Sequence, residues 1–257
     1  MKNTILSFDK YKFYKPHDRE LYLNDHVENT TDLSPNFCVK ALKWETYPVA
    51  KWYLIKAVGI LKLKSSIPLL LEICRMHDEK FNDASLHLIT AWSFGKLGEY
   101  SFKPLIEEFK KSKNLETTKC IVDALGEIGN PKAIDILTIV FKEKDDEIKL
   151  WAALSLAKIG KKSLNTLYYL YNSTNNFKNK ILILDAILKI NDTSSKIFIK
   201  DILSTGTFFE KKYILEKYSN YLDSFFKNSL VLITKSESLE LSEMAKKCLK
   251  NILPSIK

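Results

Sequence analysis

One phrase recurs along this chain with a nearly fixed period, and it constrains the fold more than any other feature. An apolar residue, usually preceded by a charge and followed by Gly or Asn, falls at Leu63, Leu97, Ile128, Ile159 and Ile190. The intervals are 34, 31, 31 and 31 residues. Such a period means one small unit stacked several times, because a unit of this size cannot bury its own apolar face and each copy must cover the last.

Aligned on the recurring residue, the columns have physical meaning. Four positions earlier stand Gly59, Ser93, Ala124, Ser155 and Ala186, all small. Three positions earlier stand Ile60, Phe94, Leu125, Leu156 and Ile187, all apolar. One position later stand Lys64, Gly98, Gly129, Gly160 and Asn191. Apolar residues three and four apart share one helical face. Small residues on that face let a neighbouring helix come close, and Gly or Asn just past the end is the left-handed residue that closes a helix. The position before the recurring residue holds Lys62, Lys96, Glu127, Lys158 and Lys189, four lysines suited to the negative end of a helix dipole.

The pattern predicts helical hairpins at 36–46 with 49–63, 66–78 with 82–96, 101–113 with 116–128, 131–143 with 146–159, and 163–172 with 178–190. Weaker units follow at 193–218 and 221–253, where Tyr218 and Ile252 match poorly. The expected architecture is all-α, a right-handed α-solenoid of about six to seven hairpins spanning residues 36–257 as one array. Residues 1–35 fall outside the repeat and carry Phe8, Tyr11, Phe13, Tyr14 and Tyr22 among charges. They read as an N-terminal cap over the first repeat, or as a partner-binding arm.

The segments ALGEIGNPKAIDIL (Ala124–Leu137) and SLAKIGKKSLNTL (Ser155–Leu167) resemble the short HEAT-like repeats of phycobilin lyase subunits and of many bacterial proteins. The resemblance covers about residues 49–205 well. It implies an α-solenoid whose second helices line a concave face used for binding partners, and it is nearly silent on which partner.

Motifs for chemistry are sparse. Deoxyhypusine hydroxylase has such an architecture but holds iron with His-Glu pairs; here none of His17, His26, His77 and His87 precedes a Glu. No phosphate-binding glycine loop and no nucleophile elbow occurs. The cysteines Cys38, Cys74, Cys120 and Cys248 are far apart, without a Cys-x-x-Cys pair, and read as reduced, mostly buried thiols of a cytoplasmic protein. No catalytic residue, metal or cofactor is expected. The DNA glycosylases built from HEAT-like repeats use a carboxylate with tryptophans in a groove. Trp92, Asp123 and Asp185 share the column five before the recurring residue, with Glu127 one turn after Asp123 and Trp151 nearby, so these residues form a candidate groove. That family's Trp with an Asp one turn on is absent. The plainer reading makes the two aspartates solvated and packs the tryptophans between helices.

Net charge is +9, and residues 151–200 hold eight lysines against two aspartates. Lys158, Lys161, Lys162, Lys178, Lys180 and Lys189, interleaved with Trp151 and several aromatic residues, are therefore the expected partner-binding residues. The only arginines are Arg19 and Arg75, and scarce arginine weakens the case for base- or phosphate-specific recognition. No apolar run suggests a secretory leader or a membrane span. Composition and repeat together point to a non-catalytic protein that binds another protein as an adaptor or as an inhibitor such as a bacterial toxin-immunity protein. A nucleic-acid-binding or DNA-repair solenoid is the second reading.

Overall fold

The structure is a computed structural model that describes residues 7–27, 33–76, 83–142, 145–235 and 238–252; His77 lies outside them. The chain divides into two compact units, Met1–Thr166 and Leu167–Lys257. Among the described residues of both, all regular structure is helical and no strand occurs.

The first unit contains α1 (Phe8–Tyr11), α2 (Pro16–Val27), α3 (Pro35–Trp44), α4 (Pro48–Ile60), α5 (Ile67–Arg75), α6 (Asp83–Leu97), α7 (Glu99–Lys111), α8 (Leu115–Ile128), α9 (Ile134–Lys142) and α10 (Asp146–Ile159). From α3 on these are successive hairpins, and each first helix packs on its own second helix. The second helices α4, α6, α8 and α10 pack on one another in chain order. The second unit continues the hairpins with α11 (Leu164–Ser173, in this unit from Leu167), α12 (Phe177–Ile190), α13 (Thr193–Thr205), α14 (Phe208–Lys217), α15 (Lys227–Thr234) and α16 (Leu239–Ile252). Here α13 packs on α15 and α14 on α16.

Helix ends follow the repeat. Gly98, Gly129, Gly160 and Asn191 have the positive φ expected just past each second helix, +60°, +69°, +78° and +47°; Gly129 and Asn191 are left-handed helical, whereas Gly98 and Gly160, with ψ of −135° and −145°, take an extended positive-φ conformation that glycine alone adopts readily. The first repeat departs from this. Lys64 occupies the closing position, so α4 stops early at Ile60 and Lys62 takes the left-handed turn at φ +51°. Helix starts carry a second column of the same period. Asn114, Asp145, Asn176 and Thr207 each accept a first-turn backbone N–H in their side chains, opening α8, α10, α12 and α14. The capping column thus continues at Thr207, where the apolar phrase has faded.

Small residues set how close the second helices come. A Cβ on Gly126 would lie 2.7 Å from Cα of Ser155, and one on Gly59 would lie 2.9 Å from Cβ of Ser93. At these crossings Ser93 donates its hydroxyl to the Ile55 carbonyl at 2.8 Å, and Ser155 donates to the Val122 carbonyl at 2.9 Å. The small column therefore serves both packing and hydrogen bonding between neighbouring repeats.

At the N-terminal side α2 packs on α4, and α1 packs on α3. A buried ion pair fixes this arrangement. Arg19 donates from Nε and Nη2 to the Glu45 carboxylate at 2.9 and 3.0 Å, and Tyr11 donates its hydroxyl to the same carboxylate at 2.6 Å. The Thr46 and Tyr47 amides complete the shell of Glu45 at 3.0 and 2.9 Å. Tyr11 and Glu45 are at most 1 % exposed.

The cysteine reading needs correction. Cys74 on α5 and Cys120 on α8 form a disulfide across 46 residues, with Cα atoms 5.8 Å apart, because stacking brings these two helices together. Cys38 and Cys248 are free and buried, and burial pushes the Cys38 thiol up to about 12.

Two stability predictions follow from this packing. Arg19→Met leaves the Glu45 carboxylate buried without its cation and should lower unfolding free energy by about 3–5 kcal/mol in denaturant titrations. Gly126→Val forces methyl groups into the backbone of α10 and should lower it by about 1–3 kcal/mol, the usual penalty of overpacking.

Candidate functional site

The second-helix layer of the first unit carries two neighbouring concavities lined by aromatic, apolar and charged side chains. On α4 and α6, spacings of one turn place Trp52 next to Lys56, Leu88 next to Trp92, and Trp92 next to Lys96. Trp52, Lys56, Leu88, Ile89 and Trp92 line an open trough of about 470 Å³. Lys56 and Lys96 hold their amines 5.6 and 4.8 Å from the Trp52 and Trp92 ring centres. Each cation faces an indole π-cloud.

Beside the trough, α6, α8 and α10 enclose a smaller recess of about 130 Å³. It is lined by His87, Leu88, Glu116, Lys119, Cys120, Asp123, Glu147 and Trp151. Leu88 belongs to both. Lys119 is buried at the base and bridges Glu116 and Glu147 at 2.7 and 2.5 Å. Burial alone would pull this amine below its ordinary value, but the hydrogen bonds it donates to the two carboxylates outweigh burial and raise it. One turn along α8, Lys158 from α10 bridges Asp123 and Glu127, the latter at 2.6 Å. Burial raises the Asp123 carboxyl, Lys158 pulls it back, and Glu127 adds to the rise.

The expected site residues are therefore distributed as follows. Trp151, Asp123, Glu127 and Lys158 come together around the recess and its edge, whereas Trp92 lines the trough next to it. Asp123 is 3 % exposed and ion-paired, so the solvated reading of it is overturned. In the second unit Asp185 accepts from the Tyr213 and Tyr218 hydroxyls at 2.7 and 2.6 Å and from the Lys217 amine at 2.9 Å, so it too is engaged rather than freely solvated. Lys180 is bound by Glu210 at 2.8 Å and lies over the Tyr171 ring. Lys161 and Lys162 are exposed in the turn after α10, and Lys178 and Lys189 are exposed near the two ends of α12.

Sequence reading overlooked Lys119, Glu116, Glu147, Leu88 and Trp52. One signal for Lys119 was present. Nine positions before the recurring residue stand Leu54, Leu88, Lys119, Leu150 and Ile181, a column that is apolar except at Lys119. A buried lysine on an otherwise apolar face needs carboxylate partners, and Glu116 and Glu147, themselves half-exposed, supply them.

A HEAT-repeat family model matches residues 81–157 and 102–187. Residues 81–187 are HEAT repeats. The match covers α6 through most of α12 and so contains the recess. No curated protein matches the chain. HEAT repeats commonly mediate protein interactions. Among the described residues, no helix is long and apolar enough to cross a membrane and no side-chain cluster could hold a metal ion.

The Glu210 carboxylate gives a pH prediction. Burial would raise it, but hydrogen bonds from Lys180, Tyr171 and the Thr207 amide and hydroxyl hold it down at about 2. A carboxyl depressed on folding stabilises above its unfolded value and loses that contribution as pH falls through the folded value. The second unit should therefore lose up to about 3 kcal/mol between pH ~4.5 and ~2. Glu210→Gln should flatten this acid limb in unfolding curves followed by circular dichroism.

Proposed function

We propose that this HEAT-repeat protein is a non-catalytic scaffold that holds another protein against the second-helix face of its first unit, as an adaptor or an inhibitor. The observation that carries this reading is the trough. It sets two partly exposed tryptophans and Leu88, which is 49 % exposed, on tightly stacked helices with lysines at their edges. Rigid aromatic and aliphatic anchors inside a charged rim are the side chains that dominate protein–protein affinity. Trp151 extends the same surface.

The charge arrangement favours a protein over a nucleic acid. Both arginines are committed to carboxylates: Arg19 to Glu45, and Arg75 to Glu108 in a fork at 2.6 and 2.5 Å. Lys158, Lys180 and Lys196 are ion-paired as well, to Asp123, Glu210 and Asp223. Three of the eight lysines in the basic segment that stands out in the sequence are thus tied to carboxylates from neighbouring repeats.

Co-purification of the tagged chain from its native lysate should recover a stoichiometric protein. Leu88→Asp with Trp92→Ala should cut recovery at least tenfold with helical content unchanged. A wild-type chain that instead retains DNA or RNA, with binding that falls steeply with salt and is lost in Lys162→Glu, Lys178→Glu and Lys189→Glu, would replace this reading.

A further inference from the structure

We propose that the recess between α6, α8 and α10 takes a single cationic side chain, an arginine, from the bound protein partner; this rests on the scaffold reading above. Its volume of about 130 Å³ suits one side chain and is too small for a cofactor. Its wall is the Trp151 indole, and its lip is Leu88, exposed and shared with the trough, so a segment lying in the trough can turn one residue into the recess.

Charge selects the occupant. Glu116, Asp123 and Glu147 line the recess against Lys119 alone. With the adjoining Glu127 and Lys158, four carboxylates stand against two amines, which leaves two negative charges on a chain of net charge +9. Lys119 shows the chemistry at work, since this site already holds one ammonium between Glu116 and Glu147. Those two carboxylates are 52 and 60 % exposed on their outer sides and remain open to a second donor. A guanidinium fits better than an ammonium. It is flat, stacks on the indole, and directs several N–H groups to two carboxylates at once. The rest of the chain, being basic, repels a basic segment and so confines it to this locally acidic place.

The test uses the full chain and the peptide acetyl-Arg-Arg-Arg-Arg-amide, followed by NMR at the Trp151 indole N–H, which is assigned through its loss in Trp151→Phe. The expected result is a saturable shift with Kd at or below about 1 mM at low salt. It should weaken at least tenfold when citrulline replaces arginine, a change that removes the charge and leaves the protein untouched. Glu147→Gln should weaken it similarly, with unchanged helical content confirming the fold. No saturable shift at Trp151 up to about 10 mM, or equal binding of the citrulline peptide, overturns the proposal. If that happens while Leu88→Asp with Trp92→Ala still loses the co-purified protein, the arginine recess alone is wrong. If those two substitutions leave recovery unchanged while Trp151 responds to the peptide, the scaffold surface is wrong and the cation site stands.

Discussion

The close approach of the second helices is the constraint on which the first unit depends. Where Gly59 meets Ser93 and Gly126 meets Ser155, no room remains for another carbon, and the serine hydroxyls bond to carbonyls of the helix before. Close packing of this kind has two effects. It excludes water from the interface, so the apolar column at Phe94, Leu125 and Leu156 is buried. It also brings side chains one repeat apart within hydrogen-bond reach, which is where most of the polar organisation arises.

That organisation has a common logic. Arg75 with Glu108, Asn130 with Glu99, Lys158 with Asp123, Lys180 with Glu210 and Lys217 with Asp185 all join residues about one period apart. Neutralisation therefore acts across repeats. Counted along the chain, residues 151–200 look strongly basic; in space, several of their lysines sit on carboxylates from outside the segment. The recess shows the reverse effect. Carboxylates from two second helices, α8 and α10, gather an excess of negative charge on a protein whose total charge is positive.

Most of the fold was legible in the sequence. The hairpins at 101–113 with 116–128 and 131–143 with 146–159 match α7 with α8 and α9 with α10 to within a few residues, because helix periodicity and left-handed closing residues are local properties. Later repeats were fainter, since their apolar phrase decays at Tyr218, although Thr207 keeps the capping period. The site was legible only in part. Asp123, Glu127 and Lys158 stand out from columns and Trp151 from its place near them; in the fold Trp151 and Asp123 line the recess, and Lys158 joins Asp123 to Glu127. Their partners Lys119, Glu116 and Glu147 were missed because those contacts join different helices and leave no short-range pattern, apart from the one charged entry in an apolar column.

The sequence by itself determined the all-α repeat, its period, the ends of most helices and the small residues that permit stacking, because each of these depends on a residue and its near neighbours. Tertiary structure alone decided which charges pair, which thiols pair and which side chains line the trough and the recess. Cys74 and Cys120 are 46 residues apart, and Lys119 and Glu147 lie on different hairpins. Only the register of helix on helix, set by side-chain packing over whole faces, places such groups within bonding distance.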